Sequence, residues 1–316
     1  MSEQKLEIFN VLNFLNSGYE LEYILKEGNF GTFPSAQDCI ERLVGEGYLE
    51  GEFEAKDSTG EELTAEEISK KYTVAELKDI LRENGLKVSG KKQELVERVL
   101  SVLNGSSGEI EPVDNETSYD LKLTDKALKF IDDNQWIDLY MYALVMFRFD
   151  DYETYVSNSS EDMIKTAHNF CDEIISKALM ANQFLVFIDA LSAKAHVFAY
   201  EKDFESFLDY DLQRFILGLN PIVMDAQTYA TYDVVNYANI LNLKNVTKAL
   251  KLGNLKKRFD KIWAKSNIRS TTVPKKTAYK TLQKAFALVD EADAGDRINE
   301  LNFDLKEKYF NKKFGI

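Results

Sequence analysis

The residues best suited to chemistry in this chain are cations at the mouth of a helix. Ser89-Gly90-Lys91-Lys92 precedes Leu95, Val96, Val99 and Leu103, an apolar set at helical spacing. The first turn of such a helix leaves backbone amides without intrahelical partners and carries the positive end of the helix dipole, so a phosphate is stabilised there. Gly90 lets the backbone approach an anion closely. Lys91 and Lys92 add mobile charges, and Lys87 before them and Arg98 after them widen the patch.

A second basic group runs from Lys244 to Lys284, with thirteen Lys and Arg against one acid, Asp260. Lys257, Arg258, Lys261 and Lys265 are its candidate DNA contacts. Lys244, Lys248, Lys251, Arg258 and Lys265 recur at helical spacing and make one stripe if the helix continues through Gly253. Leu255, Phe259, Ile262 and Trp263 give the segment an apolar face. Phosphates, an anionic lipid surface and the acidic N-terminal region of the same or another molecule all suit such a segment.

Other constellations are incomplete. His168 and Cys171 stand three apart, half of a zinc site, but no CxxC, HExxH or second close pair supplies the other ligands. Both are expected in a helical core. No GxxxxGK[ST] or GxGxxG phosphate cradle occurs. Asp132-Asp133 and Asp150-Asp151 are expected to be solvated carboxylates in a chain with 53 acidic residues, and Asn158-Ser159-Ser160 to open a helix. The expectation is a protein without catalysis, metal or cofactor.

The body carrying these residues is acidic. Its 316 residues have net charge −14, 45% hydrophobic and 12% aromatic content, with only 15 Gly and 4 Pro. That excludes wholesale disorder and a turn-dense β-sandwich and favours helices. A uniform −14 repels nucleic acid, but the charge is segregated: residues 1–70 carry −11, 71–104 carry +2 and 241–316 carry +10. Two cysteines make no disulfide framework. The start MSEQKLEIFNVLNF lacks a basic n-region, and the apolar stretches 139–147 and 184–191 are far short of a span of about 20 residues. A cytoplasmic protein with no membrane partner is expected.

Ile8, Val11, Leu12 and Leu15 mark a first helix stopped by Ser17-Gly18, and Leu21, Ile24 and Leu25 a short second one. Ser35 is placed to cap a third, with Ile40, Leu43 and Val44 inward and Gly45 or Gly47 as its end. Residues 48–53 read as a strand, and Tyr119, Leu121 and Leu123 as another. Thr124 then caps a helix with Ala127, Leu128 and Ile131 inward. ERLVGEGYLE, followed about sixty-five residues later by YDLKLTDKALKFI, resembles the wing flanks of bacterial winged-helix proteins. The helix at 35–46 is acidic, so it is not expected to read a DNA groove. From Trp136 onward the chain reads as consecutive helices, broken near Asn220-Pro221 and Thr271-Thr272-Val273-Pro274; its early aromatics are expected in the core.

Within 71–104 the pattern is denser. Thr73 and Glu76 form a capping box, Val74, Leu77, Ile80 and Leu81 share a face, and Gly85 suits the helix end. Leu86 and Val88 pin a loop, and Ser89 can cap the next helix. VAELKDILRENGL, SGKK and ELVERVL, in that order, resemble the SAP domain, a helix–extended loop–helix module associated with DNA binding. The resemblance implies duplex contact with weak sequence preference, leaning to AT-rich sequence, and places phosphate binding on Gly90, Lys91 and Lys92.

The expected architecture is mainly α: a winged-helix-like unit (1–56 plus 117–135), a SAP module (64–105) inserted in its wing, a linker (106–116), and a helical domain (136–316) containing the basic segment 244–284. The expected function is a non-catalytic bacterial or phage tether to duplex DNA through the SAP module and the basic C-terminal segment. The alternative is a helical interaction or scaffold protein, or one that self-associates through its acidic N-terminal and basic C-terminal regions.

Overall fold

The computed structural model describes residues 2–19, 21, 36–52, 72–83, 91–93, 95, 96, 98, 99, 120–268 and 270–315. Most of the expected second helix, the Ser35 cap, the linkers, Lys87, Gly90 and Leu103 lie outside the described residues. Two units, Met1–Asn10 with Lys129–Ile316 and Val11–Leu128, divide the chain.

The Val11–Leu128 unit begins within helix α1 (Ser2–Asn16), which ends where Gly18 takes φ 86° and its amide reaches the Leu15 carbonyl at 3.0 Å. Helix α2 (Ala36–Gly45) buries Cys39, Ile40 and Leu43 and stops at Gly47, which adopts φ 73°. The amides of Gly47 and Tyr48 close that end on the carbonyls of Val44 (2.9 Å) and Leu43 (2.8 Å), a left-handed cap only glycine takes without steric cost. Strand β1 (Leu49–Glu52) then pairs antiparallel with β2 (Asp120–Leu123), Leu49 opposite Leu123 and Glu52 opposite Asp120. Thr124 joins this strand pair to the next helix. Its hydroxyl donates to the Gly47 carbonyl (2.8 Å) and accepts from the Ala127 amide (3.3 Å).

Helix α3 (Val74–Glu83) lies in the sequence between the two strands. It has a small core of its own: Leu77, Leu81, Leu95, Val96 and Val99 are buried together, with Tyr72 and Ile80 against them. Val74, expected inward, is 40% exposed because it opens the helix. Helix α4 (Asp125–Asp133) buries Ala127 and Ile131 but leaves Leu128 42% exposed.

The other unit is helical among the described residues. Helix α5 (Gln135–Leu139) passes through a π turn at Tyr140–Leu144, and α6 (Phe149–Ser157) follows. Trp136, Tyr140, Phe149 and Tyr152 close on one another with ring centroids 5.1–6.0 Å apart as core packing, whereas Tyr142, also expected in the core, is 53% exposed. Next come α7 (Met163–Met180), α8 (Phe184–Tyr200) and α9 (Phe204–Gly218). The chain continues through α10 (Ala226–Thr231), α11 (Tyr237–Ala249), α12 (Leu255–Lys265), α13 (Lys275–Leu288), α14 (Ala294–Leu305) and α15 (Asn311–Phe314). Asp162, Asp203, Asp225, Asn236 and Asn254 each cap a helix start with a side-chain oxygen. Asn220 stitches the two expected breaks together. Its buried amide oxygen accepts from Thr272 N (2.9 Å) and Val273 N (3.1 Å) while its nitrogen donates to the Ile216 carbonyl (2.9 Å).

Candidate nucleic-acid interface

The SAP-like segment is built around its apolar contact. Burying Leu77 and Leu81 against Leu95, Val96 and Val99 fixes two short helices that have little stability singly. The amide of Leu95 donates to the Lys91 carbonyl at 3.2 Å, which makes Lys91 the residue that begins the second helix. Lys91 and Lys92 are both exposed, and Arg98 is half-buried further along. Lys92 and Gln93 therefore sit in the first turn, at the positive end of the helix dipole, where anions are favoured.

The C-terminal basic segment is not one stripe. Helix α11 ends at Ala249, Lys251 takes φ 48°, and α12 begins only at Leu255. Lys244, Lys248 and Lys251 thus do not share a helix with Arg258 and Lys265. Several of these cations are also taken up within the fold. Arg258, 16% exposed, binds Glu205 and Asp209 on α9. Lys244 reaches Asp290 and the Phe286 carbonyl, and Asp260 joins Lys256 (2.6 Å) to Lys275 (2.9 Å). Lys257, Lys261 and Lys265 remain exposed on the outer side of α12. Residues Lys276, Lys280 and Lys284, also exposed, form a matching row on α13 that the stripe reading passed over; their spacing of four after Pro274 is the signal for it.

Elsewhere the candidate chemical residues serve the fold. Cys171 is fully buried, and that burial pushes its thiol up to about 12, far from a reactive thiolate. His168 bonds Glu201 at 3.0 Å and His196 bonds the Ser192 carbonyl at 2.8 Å. Asp133 pairs with Lys129, Asp150 with Arg148. Among the described residues, no three His, Cys, Asp or Glu lie together as a metal site would need.

Fold and site together define a mainly helical protein carrying a compact two-helix module with lysines at one helix mouth. The SAP domain model matches residues 69–104, about a tenth of the chain. That match covers the helix pair just described, and SAP domains are generally DNA-binding modules. Comparison with curated proteins and with solved structures gives no match. No helix among the described residues is long and apolar enough to cross a membrane.

Proposed function

We propose that this protein is a non-catalytic tether to duplex DNA, gripping backbone phosphates through its SAP module. The observation that carries the reading is the SAP match over a segment whose apolar core closes as that module requires, with Lys91 and Lys92 exposed at the start of its second helix. Phosphate contacts of this kind hold a duplex without reading its sequence, and a handful give salt-sensitive affinity of about 10⁻⁴–10⁻⁶ M. A second contact through Lys257, Lys261 and Lys265 raises that affinity by avidity. In this reading the remaining N-terminal elements are a winged-helix-like frame, supported by the antiparallel pairing of Leu49–Glu52 with Asp120–Leu123 across the SAP segment. The frame is not the DNA reader, since α2 carries Asp38 and Glu41, and its Arg42 pairs at 2.6 Å with Glu46, which follows the helix.

A helical interaction protein is the alternative. It is favoured by the apolar side chains exposed around the π turn, Met141, Tyr142, Val145 and Met146. The test is retention of the full chain on immobilised duplex DNA as salt rises. Retention at low salt with elution on a linear log–log salt dependence supports the tether; no retention at low salt favours the interaction protein. Nicking of plasmid DNA with Mg²⁺ or Mn²⁺ overturns the non-catalytic part.

A further inference from the structure

We propose that the outward faces of α12 and α13 form a second phosphate-backbone surface, made by two lysine rows, Lys257–Lys261–Lys265 and Lys276–Lys280–Lys284. The choice of duplex DNA as ligand rests on the tether reading; the surface itself stands on the C-terminal helices alone.

Residues four apart stand one above the next on a helix, rising about 6 Å per step, so each row is about 12 Å long. One DNA strand advances about 3.4 Å per nucleotide, and flexible lysine stems reach successive phosphates over that length. The two helices lie side by side. Phe259 meets Tyr279 edge-on at 5.2 Å, and Asp260 on α12 binds Lys275 on α13. Asp260 is the lone carboxylate of both helices, and two ion pairs hold it. Among the described residues none of the six row lysines has a carboxylate partner, whereas Lys244, Lys256, Arg258 and Lys275 all do.

Composition decides the occupant. Besides lysines, the exposed residues of the two helices are Ala264, Gln283 and Ala287, with no large apolar or aromatic side chain. Protein interfaces are anchored by aromatic side chains and depleted in lysine, so this face lacks what a protein partner buries. Lipid insertion needs an apolar face, and that of α12 is closed into the core by Phe259 (0% exposed) and Ile262 (3% exposed). What remains is a hydrated field of point charges, and the phosphate backbone is the polyanion that needs only this.

The test is anisotropy of a labelled mixed-sequence duplex titrated with the full chain over a salt series. Triple replacement K276E/K280E/K284E removes three contacts and flattens the log–log salt slope by about 2.7; K276R/K280R/K284R keeps the wild-type slope. Circular dichroism of both variants matches the parent, because all three side chains are exposed. An unchanged slope in a folded Glu variant overturns the proposal. So does binding of polyglutamate or phosphatidylserine vesicles that depends on these lysines as strongly as DNA binding does. If K91E/K92E leaves the slope intact while the α13 variant flattens it, the SAP reading fails and this surface stands; the reverse pattern sinks the surface and spares the SAP module.

Discussion

Charge reversal at Lys91 and Lys92 gives a quantitative test of the helix mouth. Both side chains are exposed and neither belongs to the small core of Leu77, Leu81, Leu95, Val96 and Val99, so K91E/K92E leaves the packing intact. Stability should move slightly upward, because acids in a first helical turn gain about 0.3–1 kcal/mol from the dipole. A loss of binding in this variant therefore is not a loss of fold. Two phosphate contacts removed lower the salt slope by about 1.8, so the fall in affinity between about 50 and 200 mM salt shrinks roughly twelvefold. Anisotropy of a labelled duplex over that range measures both quantities, and thermal melting of the same samples checks the stability. A slope equal to that of the parent, in a variant that melts no lower, would refute phosphate binding at this mouth.

Three further predictions concern the framework. A Cβ on Gly218 would stand 2.4 Å from the buried Tyr232 hydroxyl, so Gly218→Ala should destabilise the helical unit by about 1–3 kcal/mol; the double variant with Tyr232→Phe should recover most of that loss in denaturant melts. Asn220→Ala orphans the buried amides of Thr272 and Val273 and should cost about 2–4 kcal/mol in the same assay. Hydrogen bonds from Lys256 and Lys275 hold the Asp260 carboxyl below its usual range, so its contribution is present above the unfolded-state value and lost as pH falls through the folded one. Asp260→Asn should thus be less stable near neutrality and should show a shallower loss below about pH 4 in a melting-temperature profile.

The SAP segment was legible because its information is local. Two amphipathic helices announce themselves by spacing, and all five side chains in the buried cluster, Leu81 included, lie in runs where apolar residues recur every three or four positions. The second strand was legible for the same reason, from the alternation at Tyr119, Leu121 and Leu123 and the Thr124 cap. Helix ends in the C-terminal unit were less so. Asn182, Lys202, Lys251 and Asn267 take left-handed backbone angles after α7, α8, α11 and α12, where glycine is the usual marker. One such residue, Lys251, divides what looked like a single basic stripe. The fate of Arg258 was illegible because its partners, Glu205 and Asp209, are some fifty positions away in sequence. The buried Arg214–Asp211 pair, at 2.7 Å, likewise has no signature in composition, since two charges in an amphipathic helix read as solvated until a neighbouring helix covers them.

Lysine acetylation footprinting of the full chain with and without duplex DNA at low salt reads the contact surface residue by residue. The account predicts protection of Lys91 and Lys92, with Lys122, Lys129 and Lys165, exposed elsewhere, reacting equally in both states. Equal reactivity of Lys91 and Lys92 under conditions where the duplex is bound would contradict it.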